Sequence, residues 1–495
     1  MASSCNNTDI WAWIQTLPPL SQWKKDSMSI CMCSSNSSLA TLTVSLAKNP
    51  SPELLSLSIL ANFTLPVSLW ISKPLHVVPS SSRLLDEDVA HKLVLNFIQD
   101  VLKYGPTKHI YPINLLQIVN SPYLKDIFNI SFLTLVFLVC IYEAPIDLRS
   151  NCLFALTAQI TNPQSREASK MLMRLLGSNT EEQWLRCLSL AVTNWKMELK
   201  AAGNRVLRGP SPLFSHAFST SGLWKVQLYC PVITMEIENS SGSADDDLLF
   251  SLGYHQLEGV IQLNHRVTVN EKWVDVMVNV DNIRLDVIPL VSSKFLNERG
   301  AGASEKHFPS RISLQLTPTS QTDIISVSVS KSSENPKLEK EIERTIEGSL
   351  EAPHNLGMRV AAGETTTTVM TPWKFEEYAM GGSGSLNWYL HDTNDGKEVF
   401  ASKPSPMSLF RPHAWFKHRY SNAHRPFTRQ GGIVFAGDKY GDTVCWKVLK
   451  SALGKRMDWE VSGCIGLTYW PNKHRTLYNE TRRAEFRETL QLSLG

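Results

Sequence analysis

Residues Ile127–Tyr142, IFNISFLTLVFLVCIY, are an almost continuously apolar stretch without a charged side chain, and their reading decides the fold. Sixteen residues rising about 1.5 Å each as a helix span roughly 24 Å, short of the roughly 30 Å of hydrocarbon that a membrane crossing has to bridge. Asn129, Ser131 and Thr134 lie inside the stretch, and Lys125, Asp126 and Glu143 abut it. A helix that is apolar all round also suits the centre of a large fold, and that core reading is the one expected here. The alternative is a membrane-associated protein anchored through the Ile127 to Tyr142 helix.

The neighbours of the stretch favour the core. Leu85, Val89, Leu93, Phe97 and Val101 recur every four residues behind Asp86, Glu87 and Asp88, and Gly105-Pro106 ends the run, which is the pattern of an amphipathic helix. Further helical runs are expected at about Leu148 to Ile160, from Ser165 to Gly177, and from Thr180 to Gly203. Residues 84–203 thus read as an all-helical block in which amphipathic helices surround the apolar one.

On both sides of this block the apolar period falls to two. Leu42, Val44 and Leu46, then Leu55, Leu57 and Ile59, alternate with Ser or Thr in residues 1–83, a segment that opens with Trp11, Trp13 and Trp23 around Pro18 and Pro19. Beyond the block, Val274, Val276, Val278 and Val280 alternate with polar residues after an Asn270-Glu271 turn, as in a hairpin with one wet face. Short strands and turns continue to the C-terminus, apart from SSENPKLEKEIERTIEGS, whose charge density reads as an exposed loop or short helix. The expected fold is α+β: antiparallel β-sandwich-like regions with an all-helical block between N-terminal and C-terminal strands. Residues 220–495 would form one or two sandwiches, and the N-terminal strands would complete them, making the helical block an insertion.

Forty-nine basic against 46 acidic residues leave a net charge of +3, too little to mark nucleic acid as a partner. Nine scattered cysteines and a start without a basic region leading into an apolar one point to a reducing, intracellular and cytoplasmic setting. Six N-x-S/T sequons, at Asn6, Asn36, Asn62, Asn129, Asn239 and Asn479, are then chance matches in a chain rich in Ser and Thr.

Local charge bias is strong in one place. Arg411, His413, Trp415, Lys417, His418, Arg419, Tyr420, Arg425 and Arg429 interleave cations with rings and no acidic residue intervenes, an arrangement that suits an anion or a partner surface, because cations meet phosphates and rings stack. The bland reading is a connection between strands. His413, His418 and His424 are spaced five and six apart, with no Cys or carboxylate to complete a metal site. Asp438–Asp442 and His391–Gly396 read as hairpin turns, since neither continues into the spaced ligands of a calcium loop. RQGG, MGGSGS and ERGAGA lack the phosphate-cradling pattern, and no nucleophile elbow occurs. No catalytic residue, metal or cofactor is therefore assigned.

The opening SSCNNTDIWAWIQTLPPLSQW, the segment LKDIFNISFLTLVFLVCIYEAPIDLRS and the closing LTYWPNKHRTLYNETRRAEFRE resemble a plant-specific protein family for which no activity is established. The resemblance spans essentially the whole chain; it implies a plant source and supplies no site residues. The function expected is a non-enzymatic interaction or scaffold protein with a protein partner. The membrane-anchored reading is the alternative, and an enzyme of unrecognised class the third.

Overall fold

The computed structural model describes residues 9–35, 40–49, 54–62, 65–77, 84, 86–106, 123–144, 148–149, 163–201, 214–240, 253–298, 307–331, 338–348, 360–370, 373–391, 433–436, 442–469 and 480–494. Antiparallel sheets dominate it, and a helical block separates N-terminal from C-terminal strands, so the expected α+β class holds.

After the short helix α1 (Ile10–Thr16), five strands form the N-terminal sheet: β1 (Ser27–Ser34), β2 (Thr41–Lys48), β3 (Leu54–Asn62), β4 (Pro66–Ile71) and β5 (Leu75–His76). Their order is β1-β2-β3-β4, with β5 also on β3. Among the described residues these strands pair only with one another, so they do not complete the C-terminal sheets and the helical block is not an insertion into one β fold. Their apolar face, with Leu42, Val44, Leu57 and Ile59 fully buried, shares one core with the helices.

Those helices are α2 (Glu87–Leu102), α3 (Leu124–Glu143), α4 (Pro163–Leu176) and α5 (Ser178–Ala201). Asp86 caps α2, accepting from the Val89 amide at 2.7 Å, the favoured arrangement at a helix start. The run expected at about Leu148 to Ile160 lies outside the described residues except for Leu148 and Arg149. Helix α3 corrects the sequence reading in one respect: it runs 20 residues, taking in Lys125, Asp126 and Glu143. At about 1.5 Å per residue it is long enough to cross a bilayer, and its mean hydropathy of 2.0 meets that test as well. Length therefore does not separate the two readings; burial is the observation that bears on them. Ile127, Phe128, Phe132, Leu135, Val136, Leu138, Val139 and Cys140 are all 0% exposed.

Phe97 of α2 sits at the middle of this packing, 5.3 Å from Phe128, 5.1 Å from Phe132 and 5.8 Å from Trp70 between ring centroids. Several polar residues of α3 have partners, although the buried Ser131 hydroxyl has none among the described residues. Asn129 donates to Asp9 at 2.9 Å and accepts from the Trp11 amide, Lys125 pairs with Asp9 at 2.8 Å, and Thr134 donates to the Ile130 carbonyl. Asp9 also caps α1 through the Ala12 amide, so a polar clip fastens α1 across the start of α3 while Trp11 packs on Phe128.

The C-terminal strands build one pair of facing sheets over a second core. The seven-stranded sheet contains β6 (Ser215–Thr220), β7 (Leu223–Pro231), β9 (His255–Val269), β10 (Trp273–Pro289), β12 (Ile324–Lys331), β17 (Ile433–Ala436) and β18 (Asp442–Leu449). The six-stranded sheet contains β8 (Glu236–Ser240), β11 (His307–Pro318), β15 (Trp373–Met380), β16 (Ser383–Leu390), β19 (Arg456–Tyr469) and β20 (Glu480–Ser493). A six-residue helix, α6 (Ser293–Glu298), precedes β11. Trp459 from one sheet meets Trp224 and Trp446 from the other at 6.0 and 5.9 Å.

The β9–β10 hairpin follows the alternation of its valines, with Val274, Val276, Val278 and Val280 buried. Past them the buried set is Ile283, Leu285 and Val287; the parity switches because the register slips between Val280 and Asn282, a bulge that the sequence reading missed. A further correction concerns SSENPKLEKEIERTIEGS. Its residues Leu338–Gly348 form strand β13, paired with β14 (Val360–Met370) in a separate two-stranded ribbon.

Candidate functional site

The nine residues of the basic aromatic segment, Arg411 to Arg429, lie outside the described residues, as do Asp392–Gly396 and Asp438–Gly441. His391 is described, and its Nδ1 lies 3.3 Å from the Tyr389 carbonyl. Among the described residues no three His, Cys, Asp or Glu side chains converge as a metal site.

What the fold does assemble is a polar face on the six-stranded sheet. Along β11, Ile312, Leu314 and Leu316 enter the core, so Arg311, Ser313 and Gln315 point the other way. Antiparallel register then aligns three rows across the sheet. Tyr378, Ser385, Gln315, Ser462 and Arg487 form the first. Glu376, Asn387, Ser313, Cys464 and Glu485 form the second, and Lys374, Tyr389, Arg311, Gly466 and Arg483 the third. Long residues end each row, and Ser385, Asn387, Ser313, Ser462, Cys464 and Gly466 are shorter ones between them, which leaves a trough beside Gln315 and Arg311. It opens a cleft of about 660 Å³, into which Arg166 of α4 also projects.

Most charges on this face are already paired. Arg483 meets Glu236 at 2.7 Å, Glu238 at 3.3 Å and Glu485 at 3.0 Å, and Arg487 meets Glu460 at 3.3 Å. Arg311 lies over the Tyr389 ring, 5.5 Å from its centroid. Ser385 and Asn387 are buried although they stand on the outer face, and the buried Ser313 hydroxyl has no hydrogen-bond partner. Burial pushes the Cys464 thiol up to about 11 against the pull of Arg311 and Arg483, so at neutral pH it is a thiol rather than a nucleophilic thiolate. Hydrogen-bonding groups at fixed spacing in a broad trough suit the binding of a macromolecular segment.

Between the two cores runs a seam of buried charge. Arg186 of α5 makes a two-pronged pair with Glu258 of β9 at 2.7 and 3.0 Å and also meets Glu182. Glu181 Oε1 lies 2.8 Å from His216 Nε2 on β6. Glu488 of β20 is held by Arg166, by Ser215 at 2.8 Å and by Lys170 at 3.5 Å. Low dielectric strengthens such pairs once they form, yet desolvation makes them costly to leave half-made.

A second buried cluster forms where His307 of β11 and Glu480 and Arg482 of β20 converge across β19. Glu480 contacts Arg482 and sits 3.5 Å from His307, while Arg482 donates to the Val232 carbonyl at 2.8 Å. Burial by itself would raise the Glu480 carboxyl, but His307 and Arg482 outweigh it and hold the group down at about 2. Burial lowers His307 as well. Both groups bind protons less readily in the folded chain than in the unfolded one, so both make it acid-labile. The Glu480 contribution is present above its ordinary value of 4.5 and is lost as pH falls toward 2. Urea unfolding across a pH series is expected to show that fall. Glu480→Gln should lower stability at neutral pH and flatten the decline between pH 4.5 and 2.

No protein-family model matches the chain, and no curated protein does. Among solved structures it is similar to Clostridium perfringens delta-toxin, at 11% identity over 56% of this chain and 95% of that one, with a TM-score of 0.24. The Clostridium perfringens NetB toxin in its membrane-inserted form gives 10% identity over 56% and 92%, with a TM-score of 0.20. At these scores neither likeness bears on what the chain does.

Proposed function

We propose that this chain is a non-enzymatic interaction protein that holds a segment of a partner protein in the trough of the six-stranded sheet. The observation that carries the reading is the floor of that trough, where Ser385 and Asn387 are buried but outward-facing and the buried Ser313 hydroxyl has no hydrogen-bond partner among the described residues. A partner strand or loop laid there meets hydrogen-bonding groups and, at the rim, the exposed ring of Tyr378, the kind of anchor that interfaces favour.

Affinity purification from plant tissue with mass spectrometry, using wild type and Gln315→Arg in parallel, tests this. Gln315 lines the trough and is exposed, so arginine there fills the trough and leaves the core face of β11 untouched, and partners recovered with wild type are expected to be lost with unchanged melting. Recovery of the same partners with both proteins, or of none with either, would overturn the reading.

A further inference from the structure

At one end of the sandwich three turns come together: residues 270–272 between β9 and β10, 319–323 between β11 and β12, and 450–455 between β18 and β19. Lys450 Nζ donates to the Glu271 carbonyl at 3.1 Å, and the Leu449 amide donates to the Asp323 carbonyl at 2.8 Å. The β15–β16 turn joins them, because Trp446 donates to the Gly382 carbonyl at 2.7 Å. Val269, Ile325, Leu449 and Leu453 stand between 40% and 50% exposed at this end, and Met380 stands 71% exposed beside the β15–β16 turn. Ile325 is pushed out by the slip in register between Ile324 and Ser326. Apolar side chains gathered in this way mark a contact surface rather than ordinary surface scatter.

Cations rim these side chains. Lys272, Lys450, Lys455 and Arg456 are exposed, and so is Lys447, whose Nζ lies 4.5 Å from the Trp273 ring centroid. Glu271 is an exposed carboxylate among them. Asp275 and Asp323 are half-buried and accept from Asn270 at 2.6 Å and Ser320 at 2.9 Å, and Asp458 is half-buried too. The solvent-facing charge of this end is therefore positive, although the whole chain carries only +3.

We propose that this end of the sandwich docks on an anionic bilayer surface, with Val269, Ile325, Leu449, Leu453 and Met380 entering the headgroup layer and the lysines meeting the charged lipid groups. Charge complementarity selects this occupant. Protein interfaces are depleted in lysine, whereas a membrane surface bearing anionic lipid attracts it, and the gain grows with each Lys or Arg near the plane. Lysine stems also lie along apolar surface while their ammonium groups stay in water. A single-stranded nucleic acid would need rings on which to stack its bases, and the five apolar side chains named here carry none. The trough occupies the face of the six-stranded sheet and this patch the sandwich end, so docking goes beyond the partner-binding reading and does not depend on it.

Co-sedimentation of the full chain with vesicles is the test. Wild type is expected to pellet with phosphatidylcholine vesicles containing phosphatidylserine, to stay in solution with phosphatidylcholine alone, and to be released as salt rises. Lys450→Glu/Lys455→Glu should weaken binding by about tenfold or more with an unchanged melting curve. Lys24→Glu/Lys25→Glu, the same charge change at exposed residues ahead of β1, should leave binding intact. Leu449→Ser/Leu453→Ser should weaken it at every salt concentration, and Met380→Ser carries the same arm if that pair lowers the melting temperature. Wild type that ignores phosphatidylserine vesicles at low salt, that pellets equally with both vesicle types, or that loses as much binding through the Lys24 and Lys25 changes would overturn the proposal. Binding that survives both high salt and every change at the sandwich end would also overturn it and assign membrane contact to α3 instead.

Discussion

Leu135→Asp is expected to yield no soluble, cooperatively folded protein. Leu135 lies midway along α3 and is fully buried in the core shared by the N-terminal sheet and α2–α5. The substitution removes a side chain whose burial stabilises by about 1.5–3 kcal/mol and strands a carboxylate in apolar surroundings, at a further cost of several kcal/mol. Together these approach the roughly 5–15 kcal/mol that holds an entire domain folded. Tyr123→Asp, one position before the helix at a half-exposed residue, is the control and is expected to fold. The comparison also weighs the membrane-anchored alternative: with α3 in a bilayer, Leu135→Asp would release the protein from membranes and leave the sandwich folded. Soluble, cooperatively melting Leu135→Asp protein would contradict the core role of α3.

Arg166→Met/Lys170→Met is expected to destabilise the chain by about 3–5 kcal/mol at neutral pH, the usual cost of leaving a buried charge without its counter-charge. The Glu488 side chain is 0% exposed and would keep only the Ser215 hydrogen bond. Adding Glu488→Gln removes the charge, keeps a group able to accept from Ser215, and should recover most of the loss. Urea midpoints of the three proteins measure this directly; a double methionine variant as stable as wild type would show that the seam between the two cores carries no such load.

The parts of this fold that were legible in the sequence are those set by local periodicity. The apolar α3, the four-residue spacing of α2 and the alternating valines of β10 each point to an element that forms. The ends of α3 were misplaced because Lys125 reads as a boundary charge, whereas its partner Asp9 lies far back in the chain. The strand β13 was misread for a different reason. Its charge density reads as an exposed loop or short helix, and Leu338, Ile342 and Ile346, recurring every four residues, fit one stripe of a helix as well as one face of a strand.

The trough was hidden by distance along the chain. Alternation along Arg311–Thr317 announces a polar face, but nothing local says that β11 lies between β16 and β19, which pair with it from residues 383–390 and 456–469. The independence of the N-terminal sheet was hidden likewise, since an alternating strand fits any sheet with an open edge.

Hydrogen exchange on the purified chain without detergent, followed by mass spectrometry in peptides covering Leu124–Glu143, addresses the buried α3 most directly. If α3 is the core of the helical block, its amides exchange as slowly as those of β9 and β10, through global unfolding alone. Rapid exchange along α3 while β9 and β10 stay protected would contradict the account.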